Sequence, residues 1–170
     1  MKKLWKDKGG FMSLYMIMWM SVLIPALLFL FIDISHYVHQ NVQLSSVTNN
    51  ASASAVTKIR EELVPKGILE INESEANKVV EEIIQHDLQL NKDFSPMKGS
   101  SLLDKPVIQV YIVNAVPPTG TEVNTPAGIV PIKKPSVVVY AKYPVKGMFF
   151  NNSVEMEKIG VSQVKFREER

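Results

Sequence analysis

A chain of 170 residues with a formal net charge of +2 and no cysteine has room for about one ordinary domain beside a membrane segment, which excludes a large multi-domain enzyme. The missing thiols exclude disulfide staples, thiolate catalysis and zinc sites of the Cys type. Beyond the first ten positions the basic residues are scattered among carboxylates, so no nucleic-acid footprint forms and no nucleic-acid partner is expected.

From Phe11 to Ile32 the sequence FMSLYMIMWMSVLIPALLFLFI carries no charge and only two serines. At about 1.5 Å per residue a helix of this stretch reaches roughly 33 Å, enough for the hydrocarbon core of a bilayer. It is apolar on every side, whereas a helix in a soluble core keeps a polar face. Lys2, Lys3, Lys6 and Lys8 precede it against Asp7 alone, and Asp33, His36 and His39 follow it. With the single apolar span, that lysine excess predicts a single-pass protein of the cell membrane, with a cytoplasmic N-terminus and an extracytoplasmic C-terminal domain; a Gram-positive envelope is compatible with the absence of cysteine. The sequence DISHYVHQ after the span lacks a small-x-small cleavage pattern, which favours a retained anchor over a signal peptide. Pro25, in the outer half of the span, removes a backbone donor and predicts a kink or local loosening.

Beyond Asp33 there is no proline or glycine until Pro65, so the helix is expected to continue as a stalk. Val38, Val42, Ser45, Asn49, Ser52, Val56, Ile59 and Leu63 follow a three-four spacing, and Leu44, Val47, Ala51 and Ala55 form a second, small-residue stripe. Small, mixed faces of this kind suit packing against other helices, with Pro25, Ala51 and Ala55 as contact positions; the bland alternative is a partly frayed polar stalk.

Pro65 and Gly67 break the helix and open a globular part. Asn72 is placed to cap a second helix with Glu75 in a capping-box arrangement, and Ala76, Val79, Val80, Ile83, Ile84 and Leu88 share one face of it. Three later stretches rich in β-branched and aromatic residues read as strands: Pro106 to Val116, Ser136 to Val145 and Ser153 to Phe166. Between the first two, Pro117, Pro118, Pro126, Pro131 and Pro135, with two glycines, are expected to prevent regular pairing over most of the segment. A loop of that length is either a contact surface or a tolerated insertion. The predicted class is α+β: residues 1–10 a basic cytoplasmic leader, 11–32 a transmembrane helix, 33–64 a helical stalk, and 65–170 an extracytoplasmic domain of one amphipathic helix on a mainly antiparallel sheet.

Chemistry is sparse. His36 and His39 with Asp33 fall short of a full ligand set, His86 beside Asp87 reads as surface, and Glu81 and Glu82 point in different directions on a helix. There is no nucleophile elbow and no glycine-rich phosphate loop. No catalytic residue, metal site or cofactor is expected.

The stretch KDKGGFMSLYMIMWMSVLIPALLFLFIDISHYVHQNVQLSSVTNNASASAV resembles the TadE-like minor pilins, pseudopilins of the tight-adherence (Flp-type) pilus machinery, and their TadG-like relatives. The matching elements are a glycine-ended basic leader, an apolar segment interrupted by Pro25, Asp33 at its end, and an Ala/Ser-rich extension through Ala51, Ala53 and Ala55. The later VVVYAKYPVKGMFF, with Tyr143 and Pro144, looks like the sheet strand of that family's outer domain. The resemblance implies a prepilin-peptidase cut between Gly10 and Phe11. Tyr15 stands at the fifth position after it, where the pilin class carries a glutamate. It also implies a non-catalytic accessory subunit of a pilus or secretion-type assembly whose partners are membrane lipid and the helices of that complex, a second copy of the chain included. The alternative from another functional class is an anchored extracytoplasmic binding or sensor module unrelated to pili.

Overall fold

A computed structural model of the chain describes residues 8–149 and 153–164. Most of the expected basic leader, with Lys2, Lys3 and Lys6, lies outside the described residues, as does the end of the last expected strand at Phe166. The architecture is α+β. One helix, α1 (Lys8–Ala55), runs without interruption into a small domain. There it meets a shorter helix, α2 (Glu73–Asp87), a three-stranded antiparallel sheet of β1 (Val107–Val113), β4 (Ser136–Lys146) and β5 (Ser153–Gln163), and a hairpin of β2 (Thr121–Thr125) and β3 (Gly128–Ile132).

The two halves of α1 differ in what surrounds them. Between Met12 and Ile32 every large apolar side chain is exposed, Leu27 the least at 43%. From Leu44 onward the same helix supplies the domain's core: Leu44, Val47, Ala51 and Ala55 are buried with Ala76, Val80 and Ile84 of α2 and with Val137, Val139, Ala141, Tyr143 and Val145 of β4. Within the helical stalk expected over 33–64, the part from Leu44 to Ala55 is thus built into the domain. Of the two stripes read from the sequence, the small-residue one faces the chain's own domain, while Val38 and Val42 of the other are exposed. The helix also ends earlier than expected: the backbone turns after Ala55, and Ile59 forms a bridge with Ile71.

Residues 58–72 make a short excursion whose ends are tied together. Arg60 N–H donates to Glu70 O at 2.9 Å and Asn72 N–H to Lys58 O at 2.7 Å, and the Arg60 and Glu70 side chains pair at 3.0 Å. Asn114, just past β1, extends this ladder with its side chain, accepting from Ile71 N–H at 2.7 Å and donating to Ile71 O at 3.1 Å. The amide thereby stands in for one residue of a neighbouring strand. Asn72 then caps α2 as its sequence context predicts, its side chain accepting from Glu75 N–H.

β4 is the central strand, paired with β1 from Val107↔Lys142 to Val113↔Ser136 and with β5 from Ser136↔Gln163 to Lys146↔Ser153. Its near-continuous apolar sequence has a simple cause: both faces are covered. Val137, Val139, Ala141, Tyr143 and Val145 face the helices, and Val138 packs on the opposite side with Val123 and Ile132 of the β2–β3 hairpin. The hairpin corrects the expectation that five prolines prevent regular pairing over most of the segment between β1 and β4. Pro126 sits in its turn, and Pro131 lies opposite Glu122 in β3. A strand paired along one edge has half its N–H groups directed away from its partner, so one proline within it need not cost a ladder bond.

Contact between α1 and β5 is unusually close. A Cβ placed on Gly160 would lie 2.4 Å from the carbonyl oxygen of Thr48, so the helix backbone rests on the strand backbone with no side chain between them. Two hydroxyl pairs flank this point. Thr48 Oγ1 lies 2.9 Å from Tyr143 Oη and donates to Leu44 O at 2.7 Å, so the tyrosine hydroxyl is the donor between the two; Ser52 Oγ lies 3.0 Å from Ser162 Oγ. Burial pushes the Tyr143 hydroxyl up to about 12.

Gly160→Ala is expected to destabilise the full chain in detergent by about 1–3 kcal/mol, the usual range for overpacking a tight contact, seen as a lower thermal midpoint. Tyr143 holds its proton in the fold to about 12 but releases it near 10 when unfolded. Its stabilising contribution is therefore complete below pH ~10 and falls as the pH rises through that window. Tyr143→Phe should cost about 1 kcal/mol at neutral pH through the lost hydrogen bond and flatten the alkaline slope. Tyr37 and Tyr140 are also raised, chiefly by desolvation, and leave a residual slope.

Candidate functional site

Two features stand out as candidates: the bare half of α1 and the junction where that half meets the domain. The bare half belongs to a helix that is long and apolar enough to cross a membrane. Helical structure continues across Pro25 without a break, so the expected loosening does not interrupt the helix. Pro25 lines a shallow apolar groove with Met16, Ile17, Met20, Ser21 and Ile24, and Ser21 Oγ bonds Met18 O at 2.7 Å. Tyr15, at the position a pilin glutamate would take, is half exposed and meets Trp19 edge-on, ring centroids 6.3 Å apart. Gly10 and Phe11 lie within the first residues of α1.

Asp33 organises the junction. It is 5% exposed, and one carboxylate oxygen accepts two backbone N–H groups, from Met148 at 2.8 Å and Phe149 at 3.2 Å. These residues belong to the turn after β4, so the carboxylate joins the end of the apolar helix half to the tip of the sheet. A buried carboxylate is tolerated when backbone donors take the place of water, and bonds of this charge-assisted kind are about twice as strong as neutral ones. Phe29, one turn before Asp33 on α1, meets Phe149 at a tilt, ring centroids 5.0 Å apart. Further along the same face Gln40 is buried with its Oε1 unpartnered among the described residues, and Asn41 at the side of the helix accepts from Lys158 of β5. Reading Asp33 as a possible companion to two histidines missed this role. The available signal was a lone acid directly after a long apolar run, which needs a partner wherever it is buried.

The remaining polar clusters lie mostly at the surface. His36 packs beside Tyr37, and His39 is exposed. His86 Nδ1 lies 2.9 Å from Asp87 with its side chain 88% exposed. Asp93 accepts from Ser95 Oγ at 2.6 Å and Lys105 Nζ at 2.9 Å, contacts that hold its carboxyl well below the usual carboxylate range; they pin an exposed loop in which Phe94 adopts a left-handed backbone and packs on the core. No three His, Cys, Asp or Glu side chains are grouped to share a metal ion among the described residues. Ala51 and Ala55, expected to face partner helices, are wholly covered by the chain's own domain.

Searches against family models, curated proteins and solved structures find no significant match. The functional reading therefore rests on the residues and their geometry.

Replacing Asp33 with alanine removes both acceptor contacts and leaves two N–H groups near an apolar surface. A loss of about 2–3 kcal/mol is expected, the scale for hydrogen bonds to a charged group. Amide exchange at Met148 and Phe149 should accelerate in the same variant, while exchange in α2 changes only as far as global stability does.

Proposed function

We propose that the chain is a membrane-anchored, pilin-like accessory subunit, without catalytic activity of its own, of a pilus or secretion-type assembly. The observation that supports this reading most is the division of α1: one continuous helix of 48 residues whose first half is apolar on all sides and uncovered, and whose second half is built into a small α+β domain. An uncovered apolar rod is stable only when lipid or other helices surround it. In this reading residues 11–32 cross the cell membrane with the lysine-rich end in the cytoplasm, and the domain stands outside. Lateral contacts are made by the uncovered half: the groove around Pro25 and the Tyr15–Trp19 edge are its surfaces of irregular shape. Tyr15 in place of a glutamate means that no acidic group is offered at that depth to a neighbour's amino terminus, which fits a subunit that primes, caps or accompanies a fibre rather than forming its bulk.

The burial of Ala51 and Ala55 moves the test of assembly into the apolar half. A photo-crosslinking residue at Met20 or Ile24, lining the Pro25 groove, is expected to capture another membrane helix in cells, whereas one at Asn91 on the domain is expected to capture none. If Met20 and Ile24 yield only lipid adducts, the anchored binding or sensor module is the better account. The intact mass of the protein recovered from membranes reports processing: loss of residues 1–10 is expected if a prepilin peptidase acts between Gly10 and Phe11, and a full-length mass would exclude that step.

A further inference from the structure

The turn that follows β4 ends beside the apolar half of α1, not in open solvent. Met148 and Phe149 are bound through their N–H groups to Asp33, and the Phe149 ring lies against Phe29. Yet both side chains are uncovered, Met148 at 61% and Phe149 at 48% exposure. Two large apolar side chains left open at a turn would be an odd surface in water. They are an ordinary surface if their surroundings are those of Phe29.

Phe29 is one helical turn, about 6 Å along the axis, before Asp33. Whatever covers Phe29 on that side must also meet Phe149, because the two rings share a contact. With α1 crossing the bilayer, Phe29 lies in the outer part of the hydrocarbon and Asp33 at its boundary.

We propose that the Met148–Phe149 turn enters the outer leaflet and is a second lipid contact of this protein, separate from the spanning helix. The inference rests on the membrane reading of α1 given above and adds to it a seated domain: β4 and β5 lean on the bilayer, and rotation of the domain about the helix axis is restricted. Aromatic and apolar side chains at the headgroup boundary are the usual composition of such an anchor. Asp33 acts as a positioning residue. It satisfies the two N–H groups of the turn that would otherwise be carried unpaired into a medium without water, and those N–H groups in turn compensate its charge.

The absence of native cysteine allows a direct measurement on the full chain reconstituted in phosphatidylcholine and phosphatidylglycerol vesicles. Met148→Cys, Val22→Cys and Asn91→Cys variants are labelled one at a time with an environment-sensitive fluorophore. They are then mixed with lipids brominated either near the headgroup or near the chain terminus. Expected are loss of emission at Met148 with the shallow bromines and less with the deep ones, loss at Val22 with the deep bromines, and none at Asn91. Quenching at Val22 without quenching at Met148 overturns the seated turn and leaves the spanning helix intact. No quenching at either position overturns the membrane reading itself, and this inference with it. A blue-shifted Met148 label whose shift disappears on diluting the protein in lipid would mean that a second copy covers the turn, which also overturns the proposal. In an Asp33→Ala background, quenching at Met148 is expected to fall while that at Val22 is unchanged.

Discussion

The structure depends on a helix and a strand meeting backbone to backbone. Where α1 crosses β5, Gly160 has no side chain and Thr48 presents its carbonyl, so the helix sinks closer to the sheet than ordinary side chains would permit. Small and hydroxyl-bearing residues on that face of α1, Thr48, Ala51, Ser52 and Ala55, follow from this. Leu or Ile at those positions would hold the helix off the strand, whereas alanine leaves the distance to be set by the glycine. The hydroxyls then meet partners within reach, Tyr143 and Ser162, and no buried oxygen of Thr48 or Ser52 is left without one. The same closeness explains how a domain of modest size incorporates the end of so long a helix: many short-range contacts along a shared face replace the bulk of a larger core.

Much of this was legible in the sequence and some was hidden for definable reasons. The unbroken helix, the capping of α2 at Asn72 and the three main strands carry local signals: periodicity, a side-chain cap, runs of Val, Ile and Tyr. Each is decided by neighbours within a few positions. The role of Ala51 and Ala55 is not. A stripe of small residues shows that something approaches closely, but the identity of the approaching surface is set by Gly160, more than a hundred positions away, and a lone glycine in a strand has several ordinary explanations. The proline-rich segment was misleading for a related reason. Prolines exclude interior pairing, yet a hairpin with one paired edge leaves alternate positions where the missing N–H costs nothing, and the covering of Val138 by that hairpin is a tertiary fact.

Asp33 belongs to the same class. A carboxylate after a long apolar run announces an end to the apolar stretch and nothing about its partners, because the donors come from a turn beyond β4. Its chemistry is that of an acceptor for backbone donors. The resemblance to minor pilins rests on the order of elements in the N-terminal third; the bare first half of α1 carries a physical requirement of its own, the need for a nonaqueous surrounding.

One consequence of the unbroken α1 is mechanical. Apolar half and core element are a single rod, with no linker between them to absorb motion, so a pull on the apolar end is delivered undiminished to the domain. It arrives parallel to the helix axis as shear across the surface that contains Gly160, where a whole row of weak contacts must slip together before any one of them can separate. A joint of that design resists steady tension better than a hinge would.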